Sequence, residues 1–436
     1  MIKPKKEGTA VKKPATTDRS CQPQVGIQLP LPLLSVLKTA REGFFDLCVL
    51  VGQQALHALM EQDRTDLCGP RWARDPSRNA IRGGSTSSEV TLGGRRVKVR
   101  RLRATSVDGK EMELPSFAWA ANRDPMDEHT WRAIAAGVST RGYPETLEPL
   151  PEELGQRSTS SSSVSRRFVA MSQRQLSACL SRPLGELDLW VVMIDGIAFR
   201  DHTILVAMGI DSTGKKHVLG LREGTTENAS VAKALLSDLV NRGLPADRPL
   251  LFVVDGAKAL RKGIRDVFDE AGVVHRCQLH KIRNVLEHLP QHMHATVRRA
   301  MNDAYKSSKP KSALRQLVRL ADSLESDHPG AAGSLREGLE ETLTLQSLGI
   351  KVGGTLWKTL RSTNPIENLN GGVAQFTRNV RRWRHGSMIL RWVGSAILEA
   401  EKKFRRVRGH REMSVLVQAL LARANNKEVR RASQAA

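Results

Sequence analysis

Two short apolar runs constrain this chain more than any other feature. Trp190-Val191-Val192-Met193-Ile194 and Leu250-Leu251-Phe252-Val253-Val254 each end at an Asp-Gly pair, Asp195-Gly196 and Asp255-Gly256. Five-residue runs rich in Val, Leu and Ile read as strands buried on both faces. A carboxylate at the carboxyl end of such a strand lies where an α/β sheet opens to ligands. If the two strands are neighbours, the two carboxylates sit close together, and their charges repel unless a cation bridges them. Either Asp-Gly alone is an ordinary turn. The pair within one α/β stretch is what points to a site.

The surrounding pattern gives the fold class. Residues 202–210 and 217–221 read as strands around a Ser212-Thr213-Gly214-Lys215 turn. A helix over 227–241, the strand ending at Asp255, a helix over 257–271 and a short strand over 273–275 follow. Consecutive strands can meander antiparallel, and the later ones need helical crossovers. The expected fold is a mixed α/β sheet resembling that of ribonuclease H, over residues 185–277. Residues 278–360 carry only helical signals and read as an all-helical insertion. Residues 361–410 read as the C-terminal helical part of the same domain, and 411–436 as a tail.

The first part of the chain reads as mainly helical. Residues 1–28, rich in Lys, Thr and Pro, are expected to be a disordered basic arm. Residues 29–124 are expected to hold one or two helices over 31–62, a loop over 69–88 and a short basic hairpin over 89–102 turning at Gly93-Gly94. Residues 125–184 are read as three short helices, over 127–136, 144–154 and after a Ser run at 158–163 that supplies an N-cap. That pattern suggests a helix-turn-helix whose last helix offers Arg166 and Arg167 to DNA; a plain helical linker is the alternative.

Charge narrows the partner. Lys and Arg number 68 against 45 Asp and Glu, a formal charge of +23, and the basic residues are spread along most of the chain. Such a field attracts a polyanion, and its length suits nucleic acid bound through phosphates. The five cysteines are scattered and odd in number, which argues against a disulfide framework. No apolar run spans a bilayer, so a cytoplasmic protein without membrane contact is expected.

A third carboxylate would complete a metal site. Glu367 lies in Ser362-Thr363-Asn364-Pro365-Ile366-Glu367-Asn368-Leu369-Asn370, where Thr363 or Asn364 can cap a helix and Pro365 suits its first turn. Taken alone, a Glu at a helix start is ordinary. Other pieces stand in order before it: Met193-Ile194-Asp195-Gly196, Val206-Ala207-Met208-Gly209-Ile210-Asp211, Val218-Leu219-Gly220-Leu221, Asp255-Gly256-Ala257-Lys258-Ala259-Leu260 and Arg276-Cys277-Gln278-Leu279-His280-Lys281. Together these resemble the Mutator-type transposases of bacterial insertion sequences, well over residues 130–410 and loosely before that. Members of that family often have Asp-Ala where this chain has Asp195-Gly196, a change between small residues.

The resemblance implies a ribonuclease-H-like fold with an Asp-Asp-Glu triad, carried over to Asp195, Asp255 and Glu367. The separation of 112 positions from Asp255 to Glu367 suits the helical insertion it implies. Oxygen-only ligands favour Mg²⁺, or Mn²⁺, and two such ions can clamp the attacking and leaving oxygens of an in-line phosphoryl displacement. The expected activity is cleavage at terminal inverted repeats and strand transfer into target DNA, by a homo-oligomer of at least two chains. A non-catalytic DNA-binding protein derived from a transposase is the alternative. The resemblance also covers the Cys277 and His280 pair. Cys277 is expected to pack, and His280 to hydrogen-bond toward the site or DNA; half a zinc site is the other option. Lys258, Lys281, Arg378, Arg381 and Arg382 are expected to face phosphates.

Overall fold

The computed structural model describes residues 44–435 apart from 73–77, 93–94, 123–124, 148–155, 158, 200, 225–227 and 381. The basic arm over 1–28, the first turns of the helix expected from residue 31, and the Gly93-Gly94 turn lie outside the described residues. The chain divides into two compact units, one of residues up to 124 with 148–157, the other of 125–147 with 158–436.

The first unit packs α1 (Phe44–Cys68) on a small antiparallel sheet of β1 (Ala80–Leu92), β2 (Arg95–Ser106) and β3 (Glu111–Met112), followed by α2 (Pro115–Asn122). A two-residue strand β4 (Gln156–Arg157) also pairs with β2. The hairpin is longer than its sequence signal. Residues 80–88, read as loop for their Gly and Ser content, belong to β1, because β2 supplies a regular partner over the same length apart from a register shift between Arg82 and Ser85. On β2, Val97, Val99, Leu102 and Ala104 are buried while Lys98 and Arg100 are exposed, so the alternation does present basic side chains to solvent.

The second unit begins with α3 (Pro125–Ala135), a 3₁₀ turn at Pro144–Thr146 and α4 (Ser161–Leu180). Only that single turn stands, among the described residues, where a helix over 144–154 is expected. Ser160 caps α4, accepting from the Ser163 backbone N–H. Val164 and Phe168 of α4 bury against Trp131, Ile134 and Tyr143, and Phe168 lies 4.6 Å from the Trp392 ring. Its inner face is therefore committed to packing.

The central sheet follows: β5 (Leu189–Phe199), β6 (His202–Asp211), β7 (Lys216–Gly224), α5 (Ala229–Asn241), β8 (Leu250–Val254), α6 (Lys258–Phe268) and β9 (Gly272–Arg276). The strand order is β7-β6-β5-β8-β9. β5, β6 and β7 are antiparallel, whereas β8 and β9 run parallel to β5. The fold class is mixed α/β.

Strand alternation explains the two layers. Val192, Ile194, Leu250, Phe252 and Val254 bury under α5 and α6. Val191, Met193, Leu251 and Val253 bury on the other face, in one core with α13 (Asn364–Thr377) and α14 (Gly386–Glu401). Between β9 and α13 runs a helical stretch: α7 (Gln278–Leu286), α8 (His294–Tyr305), α9 (Pro310–Leu324), α10 (Pro329–Arg336), α11 (Thr344–Ser347) and α12 (Thr355–Leu360). Most of it has its own core, around Val285, Met301, Leu317 and Leu335. α15 (Met413–Ala435) ends the chain.

Candidate active site

Side-chain alternation fixes the face on which the two aspartates stand. Asp195 has the parity of Val191 and Met193, and Asp255 that of Leu251 and Val253, so both point to the α13 side of the sheet. The parallel register pairs Ile194 with Val254, which makes Asp195 and Asp255 the next residues on adjacent strands. β5 does not stop at Asp195. It continues to Phe199 because β6 keeps pairing with it, Asp195 opposite Val206 and Gly196 opposite Leu205.

Asp255 leaves its strand in a tight turn. Its Oδ1 accepts from the Ala257 backbone N–H at 2.9 Å, and Gly256 follows at φ +104°. A β-carbon on Gly256 would stand 2.0 Å from Arg276 Nε. Glycine is required here both by that φ and by the approach of a buried arginine. The turn then opens into α6, with Lys258 exposed at its start and 3.7 Å from the Glu337 carboxylate.

α13 brings the third carboxylate. Ile366, Leu369 and Val373 bury its inner stripe, and Asn370 Nδ2 donates to Asp195 Oδ2 at 2.7 Å. Glu367 lies one turn earlier, and its Oε1 accepts from Thr363 Oγ1 at 2.7 Å. Asp195 feels all these neighbours. Burial first, then the charges of Asp255 and Glu367, push its carboxyl up to about 6, against a lowering pull from the Gly196 backbone and His280. Asp195, Asp255 and Glu367 therefore share one electrostatic environment.

Behind Glu367 stands a second cluster. Cys277 caps α7, its Sγ accepting from the His280 N–H at 3.4 Å. Thr363 Oγ1 is 3.2 Å from His280 Nδ1 and 3.5 Å from Cys277 Sγ. The hydroxyl has one proton, and its shortest bond, to Glu367, claims it; toward His280 the oxygen accepts, so Nδ1 carries the proton. His280 is held above the usual imidazole range by its bond with the Cys277 thiol, then by nearby negative charge that includes Glu367 and Asp255. Burial would raise the Cys277 thiol, but hydrogen bonds from His280, joined by the Thr363 backbone N–H, outweigh it and bring it below its ordinary range. Among the described residues, Cys277, His280 and Glu367 are a group whose ligand atoms all lie within 4.8 Å of one another. Cys277 is fully buried.

The basic residues are placed differently from one another. Arg166, Arg378 and Arg382 are exposed and Arg167 is half-buried; Arg381 lies outside the described residues. Lys281 does not face a phosphate. It is 0% exposed, and its ammonium donates to the backbone carbonyls of Ser334 and Glu337. Burial, helped by the charge of Arg276, brings its pKa down to about 7. It ties α7 to the end of α10, a structural role with no local sequence signal. Asn370 is the opposite case: it stands in the motif around Glu367, and only its bond to Asp195 reveals a role. No helix among the described residues is long and apolar enough to cross a membrane.

Three carboxylates gathered from two adjacent strands and a helix, in a strongly basic chain, define a candidate site for phosphoryl chemistry on a polyanion. The family model described as "Transposase, Mutator family" matches residues 36–407, and the chain belongs to that family. It is 29% identical over 238 residues to the transposase for insertion sequence element IS6120 of Mycolicibacterium smegmatis, covering 53% of this chain and 71% of that one. It is 27% identical over 387 residues to the transposase for insertion sequence element ISRM5 of Rhizobium meliloti, covering 85% and 90%. To the transposase for insertion sequence element IS256 in transposon Tn4001 of Staphylococcus aureus it is 24% identical, covering 78% and 86%.

Proposed function

We propose that the chain is the transposase of a bacterial insertion sequence, which cleaves DNA at terminal inverted repeats and joins the freed ends to target DNA. Asp195, Asp255 and Glu367 are its catalytic carboxylates, on a ribonuclease-H-like sheet interrupted by a helical insertion. The strand order β7-β6-β5-β8-β9 supports that fold reading. The observations that support the site are the pairing of Ile194 with Val254, which sets the two aspartates on adjacent strands, and the bond from Asn370 to Asp195, which holds the helix of Glu367 against the first of them.

The residues fit a pair of divalent cations. The site concentrates negative charge, and the upward pull of Asp255 and Glu367 on Asp195 is a repulsion that a cation would relieve. The donors are carboxylate oxygens, which suit Mg²⁺ or Mn²⁺. Such ions supply charge stabilisation to the attacking and leaving oxygens at phosphorus. The protein's part is positioning. The sheet holds the two aspartates in register, Asn370 fixes the Asp195 carboxylate, and Thr363 orients Glu367 by its hydrogen bond. His280 stands beside Glu367, its Nδ1 3.7 Å from that carboxylate, at the rim of the site. The DNA is held by the basic surface, to which Arg166, Arg167, Lys258, Arg378 and Arg382 contribute. Two ends must be brought together for transposition, so the working form is a homo-oligomer of at least two chains, acting in the bacterial cytoplasm at the nucleoid.

The test is strand transfer of labelled element-end DNA with Mg²⁺. Asp195→Asn, Asp255→Asn and Glu367→Gln should each lose cleavage and joining while still shifting the DNA in a binding assay. Activity retained in any one of them would overturn the triad. Wild-type binding without cleavage would point to a DNA-binding protein derived from a transposase.

A further inference from the structure

A cleft of about 620 Å³ lies on the second unit beside the start of α13. Its wall carries Lys216 from β7, Lys358 from α12, and Arg406 and Arg408 from the segment after α14. Asn364 and Asn368, on the helix that bears Glu367, line it as well. Among the described residues no carboxylate lines the cleft; Glu412 at its rim accepts from Thr355 Oγ1 at 2.5 Å.

Four cations converge here without an acidic partner among the described residues. Elsewhere in this unit, several basic side chains at packed positions are matched. Arg182 pairs with Glu401, Arg261 with Glu337 and Glu341, and Arg336 with Asp322 and Glu325. In the cleft, Lys216 has only the ring of Phe404, 4.6 Å from its ammonium. Four like charges brought together repel one another, a cost that an anion in the cleft would remove. Amide side chains on α13 add neutral hydrogen-bonding groups, and the positive end of that helix dipole points the same way.

We propose that this cleft grips the phosphodiester backbone of a DNA strand next to the point of cleavage. The proposal takes DNA as substrate from the reading above and adds where one strand runs. Asn364 and Asn368 flank Glu367 in sequence, so a backbone seated on them passes within about one helical turn of the catalytic helix position. Lys358 and Arg406 supply phosphate charge from two separate segments of the chain.

Salt dependence of binding tests it, because each phosphate neutralised releases counterion and contributes about 0.9 to the slope of log K against log salt on duplex DNA. Fluorescence anisotropy on a labelled 30-base-pair duplex, without divalent metal, would compare the wild type with Lys358→Gln/Arg406→Gln. Both side chains are exposed, so an unchanged thermal midpoint is expected, and Lys358→Ala/Arg406→Ala serves as a second variant. Either pair should lower the slope by about 2. The control is Arg298→Gln/Arg299→Gln, two exposed arginines on α8, which should leave it nearly unchanged. An unaltered slope in the cleft variants, or an equal fall in the control, would overturn the proposal. Because no catalysis is measured, a wild type that binds with the expected slope difference but never joins strands would refute the transposase reading and leave the cleft standing.

Discussion

Removing the amide of Asn370 is the sharpest test of how the site is held. Asn370→Ala deletes the 2.7 Å hydrogen bond from Nδ2 to Asp195 Oδ2. Asn370 Oδ1 has no hydrogen-bond partner among the described residues, so the substitution removes chiefly this one polar contact. A hydrogen bond to a charged group contributes about 1.5–3 kcal/mol. If the bond persists at the transition state, its loss corresponds to a fall in rate of about ten- to one-hundred-fold. Positioning predicts that the loss appears in the single-turnover cleavage rate at saturating DNA, with DNA affinity unchanged, and that Asn370→Gln recovers part of it. Single-turnover cleavage of end DNA in Mg²⁺, alongside anisotropy, gives both numbers. Unchanged cleavage, or a loss that falls wholly in DNA affinity, would refute the idea that α13 orients Asp195.

Two further predictions concern buried groups. His275 is fully buried, and burial brings its pKa from about 6.5 down to about 4. A folded state that resists protonation has its full advantage above pH 6.5, loses it as pH falls, and has none below about 4, a difference of about 3 kcal/mol. Urea midpoints should drop over that window in the wild type and drop less in His275→Asn; parallel curves would contradict this. Lys281→Ala should cost about 2 kcal/mol of stability, because the carbonyls of Ser334 and Glu337 lose a donor, and should leave the salt slope of DNA binding untouched. Thermal unfolding and anisotropy check the two halves, and a reduced slope would return Lys281 to the DNA-facing set.

The central strands were legible because their signal is local. A run of five apolar residues cannot be exposed, and a charged residue at its end must lie at a boundary, so β5 and β8 and their aspartates can be read directly. Their adjacency needed the α/β order around them. The extension of β5 through Gly196 to Phe199 was hidden because Asp-Gly imitates a turn, and only a cross-strand partner in β6 keeps it extended. For the same reason residues 80–88 looked like loop until β2 paired with them. Glu367 could not be distinguished from an ordinary helix-start acid by its own neighbours; the family resemblance singled it out. Lys281 departs from its expected place on the DNA-facing surface because its partners, Ser334 and Glu337, lie more than fifty residues away, and a basic residue on a short helix carries no sign of burial. The cleft cations carry no local signal for a similar reason: Lys216, Lys358 and Arg406 meet only in three dimensions.

The most direct measurement is the number of manganese ions bound per chain, read by electron paramagnetic resonance on the complex with end DNA. Wild type should take up two, and Asp195→Asn, Asp255→Asn and Glu367→Gln should each take up fewer while remaining folded and DNA-bound. Two ions in all three variants, or none in the wild type, would contradict a metal site built from these carboxylates.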